Sequence, residues 1–270
     1  MLVLIRGAGD IASGIALRLH RAGLAVIMTD IEKPTAIRRT VAFSTAIVQG
    51  ETRVEEITAR RAETAQEALE MLGEGVIPVL SDPEGCCISQ IKPDAVVDAI
   101  LAKRNLGTRI TDAPVVIGVG PGFTVGEDCH AVVETMRGHT LGRTYYEGSA
   151  LPNTGIPGLI GGFSGERVLR APADGVFHPL MEIGQQVQEG EVAATVNGIP
   201  MICTLTGVLR GILAEGTLVH AGMKAGDIDP RCKVEHCYTV SDKALSVGGG
   251  VLEGVLCLTA RRKEREDGRK

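Results

Sequence analysis

"LVLIRGAGDIASG", residues 2–14, decides how the chain is read. Leu2 to Ile5 is an all-apolar run, the composition of a parallel strand buried on both faces. Gly7 and Gly9 follow at once. From Asp10 onward Ile11, Ile15 and Leu19 fall one helical turn apart, with Ala12 and Ala16 beside them. Arg18, His20 and Arg21 suit the negative end of that helix, and Gly23 stops it. A second strand, "LAVIMTD" (residues 24–30), ends on Asp30.

Strand, glycine turn, helix, strand and acid stand in the order of a dinucleotide-binding fingerprint. Gly7 permits the turn, Gly9 lets a pyrophosphate approach the main chain, Asp10 opens the helix and completes the phosphate cradle, and Asp30 accepts from a ribose hydroxyl. The reading is a Rossmann-like unit. A unit of that type with a vestigial or adapted site carries the same letters, because fold does not fix function. Arg38 and Arg39 follow as candidate phosphate partners, though exposed arginines are commonly plain surface.

Further along, "TAQEALEMLGEG" (64–75) holds a capping box, Thr64 with Glu67, and an apolar face ended by Gly73. "VIPVL" (76–80) and "DAVVDAIL" (94–101) read as strands, Pro78 placing the first at an edge or bulge. "PVVIGVGPGFTVGEDCH" (114–130) is another buried-type strand running into Gly118, Gly120, Gly122 and Thr124. If it runs parallel to the first strand, both glycine loops share the carboxyl edge where open α/β sheets bind ligands, and form two anion cradles. The other reading is a tight hairpin with "HAVVETM" as antiparallel partner. "ETMRGHTLGR" (134–143) adds Glu134 and Arg137 to the candidate cofactor-binding residues, Arg137 as a charge partner beside Arg38 and Arg39, with Glu134 and His139 the best available acid–base pair.

Composition narrows the classes. Aromatic residues are 3% and Trp is absent, so the core is aliphatic. Gly supplies 35 of 270 residues, concentrated in loops, which marks close main-chain approaches. A net charge of −5 without a basic patch argues against nucleic acid as a partner. The apolar opening ends at Arg6, too short for a secretory signal, and no run matches a bilayer span. Seven irregularly spaced cysteines read as reduced thiols, hence a cytoplasmic protein without membrane attachment. The tail "RRKEREDGRK" (261–270) reads as a solvated, frayed end.

The second half repeats itself. "DGVFHPLMEIGQQVQEGE" from Asp174 and "TGVLRGILAEGTLVHAGM" from Thr206 share a glycine–valine frame at an offset of 32 residues. This resembles the two halves of the biotinyl/lipoyl carrier fold. The joining stretch "ATVNGIPMICTL" (194–205) has an Asn197-Gly198 hairpin signal but no lysine to modify, so the expectation is a structural or docking barrel. Cys232, His236 and Cys237 lack the paired spacing of strong zinc sites, and no metal is expected there. Val247, Val251 and Val255 give a closing helix interrupted by Gly248, Gly249 and Gly250, a sign that something approaches its backbone.

Together, "RGAGDIASG", "IRRTVAF", "DAILAKRNLGT", "GPGFTVGEDCHAVVETMRGHTLGR", "PNTGIPG", "ERVLRAPADGVF", "GVLRGIL", "GDIDPR" and "SDKALSVGGGVLEG" resemble the accessory family of selenium-dependent molybdenum hydroxylase systems, the YqeB type. The likeness covers nearly the whole chain. Asp30 stands where an acid that is often Glu is expected, and "VEEI" (54–57) replaces a glycine-bearing version. The resemblance implies a maturation protein partnered with a molybdenum hydroxylase. Its ligand would be the molybdenum cofactor or its nucleotide form, Asp30 then holding a ribose or pterin edge, with an NAD(P)-dependent oxidoreductase as the alternative.

The expected architecture is therefore a Rossmann-like domain over 1–165, a biotinyl/lipoyl-like (barrel-sandwich) β domain over 166–235, and a returning helix with charged tail over 236–270. A third reading, sulfur or selenium relay through Cys86, Cys87 or Cys129, competes with ordinary buried cysteines.

Overall fold

The computed structural model describes residues 1–156 and 158–268, so Pro157 of "PNTGIPG" and the last two tail residues lie outside the described residues. The chain divides into two compact units: 1–34 with 43–153 and 240–270, and 35–42 with 154–239.

The first unit begins with β1 (Leu2–Arg6), α1 (Asp10–Arg21) and β2 (Ala25–Asp30), followed by α2 (Thr45–Gln49), β3 (Glu51–Val54) and β4 (Ile57–Ala62). Next come α3 (Ala65–Met71), β5 (Ile77–Ser81), α4 (Ile88–Ile91), β6 (Ala95–Asp98), β7 (Val115–Val119), β8 (Ala131–Val133) and β9 (Thr144–Tyr145). The strands form one nine-stranded sheet in the order β3-β4-β5-β2-β1-β6-β7-β8-β9. The Thr64 cap of α3 is present, the Glu67 amide donating to Thr64 Oγ1 at 3.1 Å; the Glu67 carboxylate reaches back to the amide of Glu63, one residue before the cap, at 2.8 Å.

This sheet corrects the Rossmann-like expectation. It is mixed, with β3 antiparallel to β4 and β9 antiparallel to β8. The connections β6–β7 and β7–β8 hold no crossover helix, so the second βαβ half is missing. Glycines and prolines between 107 and 126 supply no helical apolar period there. The covering helix comes instead from the end of the chain. It is α5 in sequence order (Asp242–Asp267), and it packs on α1, β7, β8 and β9.

That packing explains the glycines of the closing helix. A Cβ on Gly248 would stand 2.8 Å from the Gly14 carbonyl oxygen of α1, so the two backbones touch. Among the described residues α5 is the one helix long and apolar enough to cross a membrane; its seam of Ala244, Val247, Val251 and Val255 is buried. The tail read as frayed from residue 261 stays helical to Asp267, where Arg262 pairs with Glu266 one turn on.

The second unit holds β10 (Val168–Arg170), β11 (Gly175–Pro179), β12 (Gln186–Val187), β13 (Val192–Val196), β14 (Ile199–Ile202), β15 (Gly207–Ile212), β16 (Leu218–Val219) and β17 (Lys224–Asp229). The expected single carrier-type barrel is corrected to two four-stranded antiparallel sheets, β10-β17-β15-β12 and β14-β13-β11-β16. The physical reason is two additions to the repeated frame. Strand β10 extends one sheet, and residues 35–42 join it where the Ile212 amide donates to the Ile37 carbonyl at 2.8 Å. Phe177, Val196, Leu209 and Ile228 form the core. Asn197 and Gly198, with φ of 49° and 80°, make the hairpin turn.

On β17, Asp227 and Asp229 are almost without solvent contact. Arg167 and Arg210 close on Asp227, and Arg231 closes on Asp229 at 2.6 Å. Arg231 hydrogen bonds and the Arg210 charge outweigh burial and hold the Asp229 carboxyl well below the usual carboxylate range.

Candidate functional site

Strands β1 and β7 both run parallel to β6 and flank it, so their glycine loops follow the same carboxyl edge, about 10 Å apart. The hairpin reading of 114–133 is excluded, since β7 and β8 pair in parallel. Neighbouring protein atoms crowd four of the loop glycines. Gly7 has φ +96°, and a Cβ there would stand 2.8 Å from the Ala99 carbonyl oxygen. Gly122, at φ +110°, would meet the Arg104 backbone at 2.6 Å. A Cβ on Gly118 would lie 2.5 Å from the Phe123 ring, and one on Gly120 2.8 Å from Thr135 Oγ1.

The amides are occupied as well. Gly7 donates to the Thr29 carbonyl at 2.7 Å, and Gly120 to the Val133 carbonyl at 2.8 Å. Thr124 donates to Asp128 at 2.8 Å. Ala8 donates to Asp30 Oδ2 at 2.7 Å, and Ile11 to its neighbour Asp10 at 2.8 Å. Main-chain donors buried in folding find partners, and here the partners are internal. The expectation of two phosphate cradles is corrected: Gly118, Gly120 and Gly122 serve self-packing.

Gly9 differs. It is the N-cap of α1 in ordinary extended geometry (φ −70°, ψ −175°), and a Cβ there would meet nothing within 4 Å. Neither torsion nor packing requires glycine at this position. Asp30 stands beside the turn at the end of β2. Burial pushes its carboxyl up, against hydrogen bonds from Ile31 and Ala8. Asp30 is an acceptor group whose two oxygens already take the Ala8 and Ile31 amides, and an acceptor suits hydroxyl or amino groups better than a phosphate.

The segment after β6 supplies what the glycine loops do not. Leu101 and Lys103 have φ of 61° and 64°, left-handed torsions uncommon for such side chains. Lys103 and Arg104 are exposed there. Below them Arg6, 1% exposed, donates to Thr108 Oγ1 at 2.5 Å, and Thr108 donates to Asp98 at 2.6 Å. Sequence reasoning missed this buried relay; its one signal was a cation closing an otherwise apolar strand.

The remaining candidates have partners of their own. Arg38 and Arg39 belong to the second unit, where Arg38 donates to the carbonyls of His236 and Thr239 and Arg39 to that of Ile212. Glu134 has no solvent exposure and accepts from the amides of Thr135, Met136 and Leu151 at 2.7–2.8 Å. That is an anchor, not a base. Arg137 grips Asp242 at the start of α5 with two bonds of 2.9 and 2.8 Å. Among the described residues no three His, Cys, Asp or Glu side chains group as a metal site.

No family model matches the chain. Among solved structures it is similar to an aspartoacylase family protein from Mesorhizobium loti (10% identity, TM-score 0.27) and to a succinylglutamate desuccinylase/aspartoacylase from Rhodobacter sphaeroides (12%, 0.26), each alignment covering 84% of both chains. Among curated proteins it is 53% identical over 257 residues to the uncharacterized protein YqeB of Escherichia coli (strain K12). The alignment covers 95% of this chain and 48% of that protein, so the chain spans about half the length of the relative it matches. Similarity of this extent supports a YqeB-type chain.

Proposed function

We propose that the protein is an accessory protein of a selenium-dependent molybdenum hydroxylase, working in a reducing, cytoplasmic compartment. It binds the molybdenum cofactor or its nucleotide form at the carboxyl edge of the nine-stranded sheet. The observation that carries the reading is Gly9, a helix N-cap glycine whose missing side chain leaves open space beside Asp30. A ligand approaching there meets the Asp30 carboxyl, an acceptor type suited to pterin amino groups or ribose hydroxyls. Lys103 and Arg104 on the left-handed segment supply the positive charge a phosphate requires. The seven cysteines are free thiols, as suits that compartment.

The test is a binding titration of the purified protein with molybdenum cofactor and its nucleotide form, and separately with NAD(P). Binding of the pterin forms, lost by about tenfold or more in Gly9→Asn with an unchanged urea midpoint, is the expected result. Tight NAD(P) binding without pterin binding would transfer the reading to an NAD(P)-dependent oxidoreductase.

A further inference from the structure

Beside α4, in the first unit, lies a groove of about 900 Å³ whose walls include Glu84, Cys86, Lys92, Arg109, Asp112 and Arg262. That volume falls within the range of roughly 300–1,000 Å³ typical of small-molecule sites. The walls come from three separate parts of the chain: the β5–α4 turn with α4, the irregular segment after β6, and the last turns of α5.

The charges are unevenly satisfied. Arg262 is tied to the Pro114 carbonyl at 3.2 Å and to Glu266 at 3.1 Å. Asp112 spends an oxygen on the Arg109 amide at 2.9 Å. The side-chain cations of Lys92 and Arg109 have no carboxylate partner among the described residues. A second feature lies beneath the wall. A Cβ on the groove residue Gly85 would stand 3.3 Å from Arg6 Nε. That nitrogen is buried and has no hydrogen-bond partner among the described residues, and Arg6 as a whole is only 1% exposed. Buried polar atoms are normally satisfied, so this nitrogen is an unsatisfied donor behind the Gly85 wall, while Arg6 itself does not line the groove.

We propose that this groove binds a small anionic metabolite, its carboxylate or phosphate group held between Lys92 and Arg109 with the exposed Cys86 thiol alongside. The site is independent of the cofactor reading above and uses none of its residues.

Cys86 provides the reporter. In the full chain, its thiol–disulfide exchange is followed site by site by mass spectrometry, with an anionic reagent (dithiobis-nitrobenzoate) and a neutral one (dithiodipyridine). In each case the Cys86 sulfur forms a mixed disulfide and one aryl thiolate leaves. The anionic-to-neutral rate ratio should fall about tenfold in the Lys92→Gln/Arg109→Gln variant. Inorganic phosphate or citrate should slow Cys86 labelling in the unsubstituted protein while leaving Cys232 unaffected. An unchanged ratio in a folded variant, or no protection of Cys86 by either anion, overturns the proposal. Should the double variant not fold, protection in the unsubstituted protein decides alone.

Discussion

The ring of Phe123 occupies the space in which a side chain on Gly118 would begin, 2.5 Å from an ideal Cβ. Both residues are buried. Gly118→Ala forces the ring aside, and such overpacking costs about 1–3 kcal/mol. Urea denaturation should register that loss. A glycine reserved for phosphate would behave differently, keeping stability and losing only ligand affinity.

Glu134 and Arg137 are three residues apart and should respond unequally. Glu134→Gln turns an amide nitrogen toward a main-chain donor that a carboxylate oxygen satisfies, at a cost of about 1–3 kcal/mol. Arg137→Gln removes a part-exposed ion pair and should cost no more than about 1 kcal/mol. Comparing the two urea midpoints checks the order; equal midpoints would show that the Glu134 anchor is weaker than its geometry.

Gly9→Asn should leave the fold intact. Asn is a preferred N-cap, and the position has extended torsions open to any residue. Thermal unfolding within about 1 kcal/mol of the unsubstituted protein is expected. A large destabilisation would show that the space beside Gly9 is needed by the chain and not by a ligand.

Acid should weaken the second unit through Asp229. Its folded pKa lies below the unfolded value of about 3.9, so the contribution is complete above that value and disappears as pH falls toward the folded one. Asp229→Asn strips a buried pair and costs about 3–5 kcal/mol at neutral pH. The stability gap between the two proteins should narrow on acidification from about pH 7 to about pH 3. A gap independent of pH would refute the assignment.

Local signals were legible where chemistry is local. The apolar runs at β1, β2 and β7, the Thr64–Glu67 cap and the Asn197-Gly198 turn all stand in the letters and in the structure. The site was less legible because its decisive contacts join distant residues. Nothing near Gly122 announces the Arg104 backbone, and nothing near Glu134 announces the amide of Leu151. A glycine asked to admit a ligand and one asked to admit another strand connection look the same until the fold brings the neighbour in. The missing crossover helices were hidden for a related reason: their substitute, α5, is encoded over a hundred residues later.

That late-encoded helix bears on the order of events at the ribosome. Residues 35–42 and 154–239, which make up the second unit, have all been synthesised before α5 emerges, whereas the sheet of the first unit waits for residues 240–267 to seal one face. The middle of the chain can thus mature while the beginning is still uncovered. A nascent polypeptide halted before residue 240 would expose the apolar flank of β7 and β8 to chaperones.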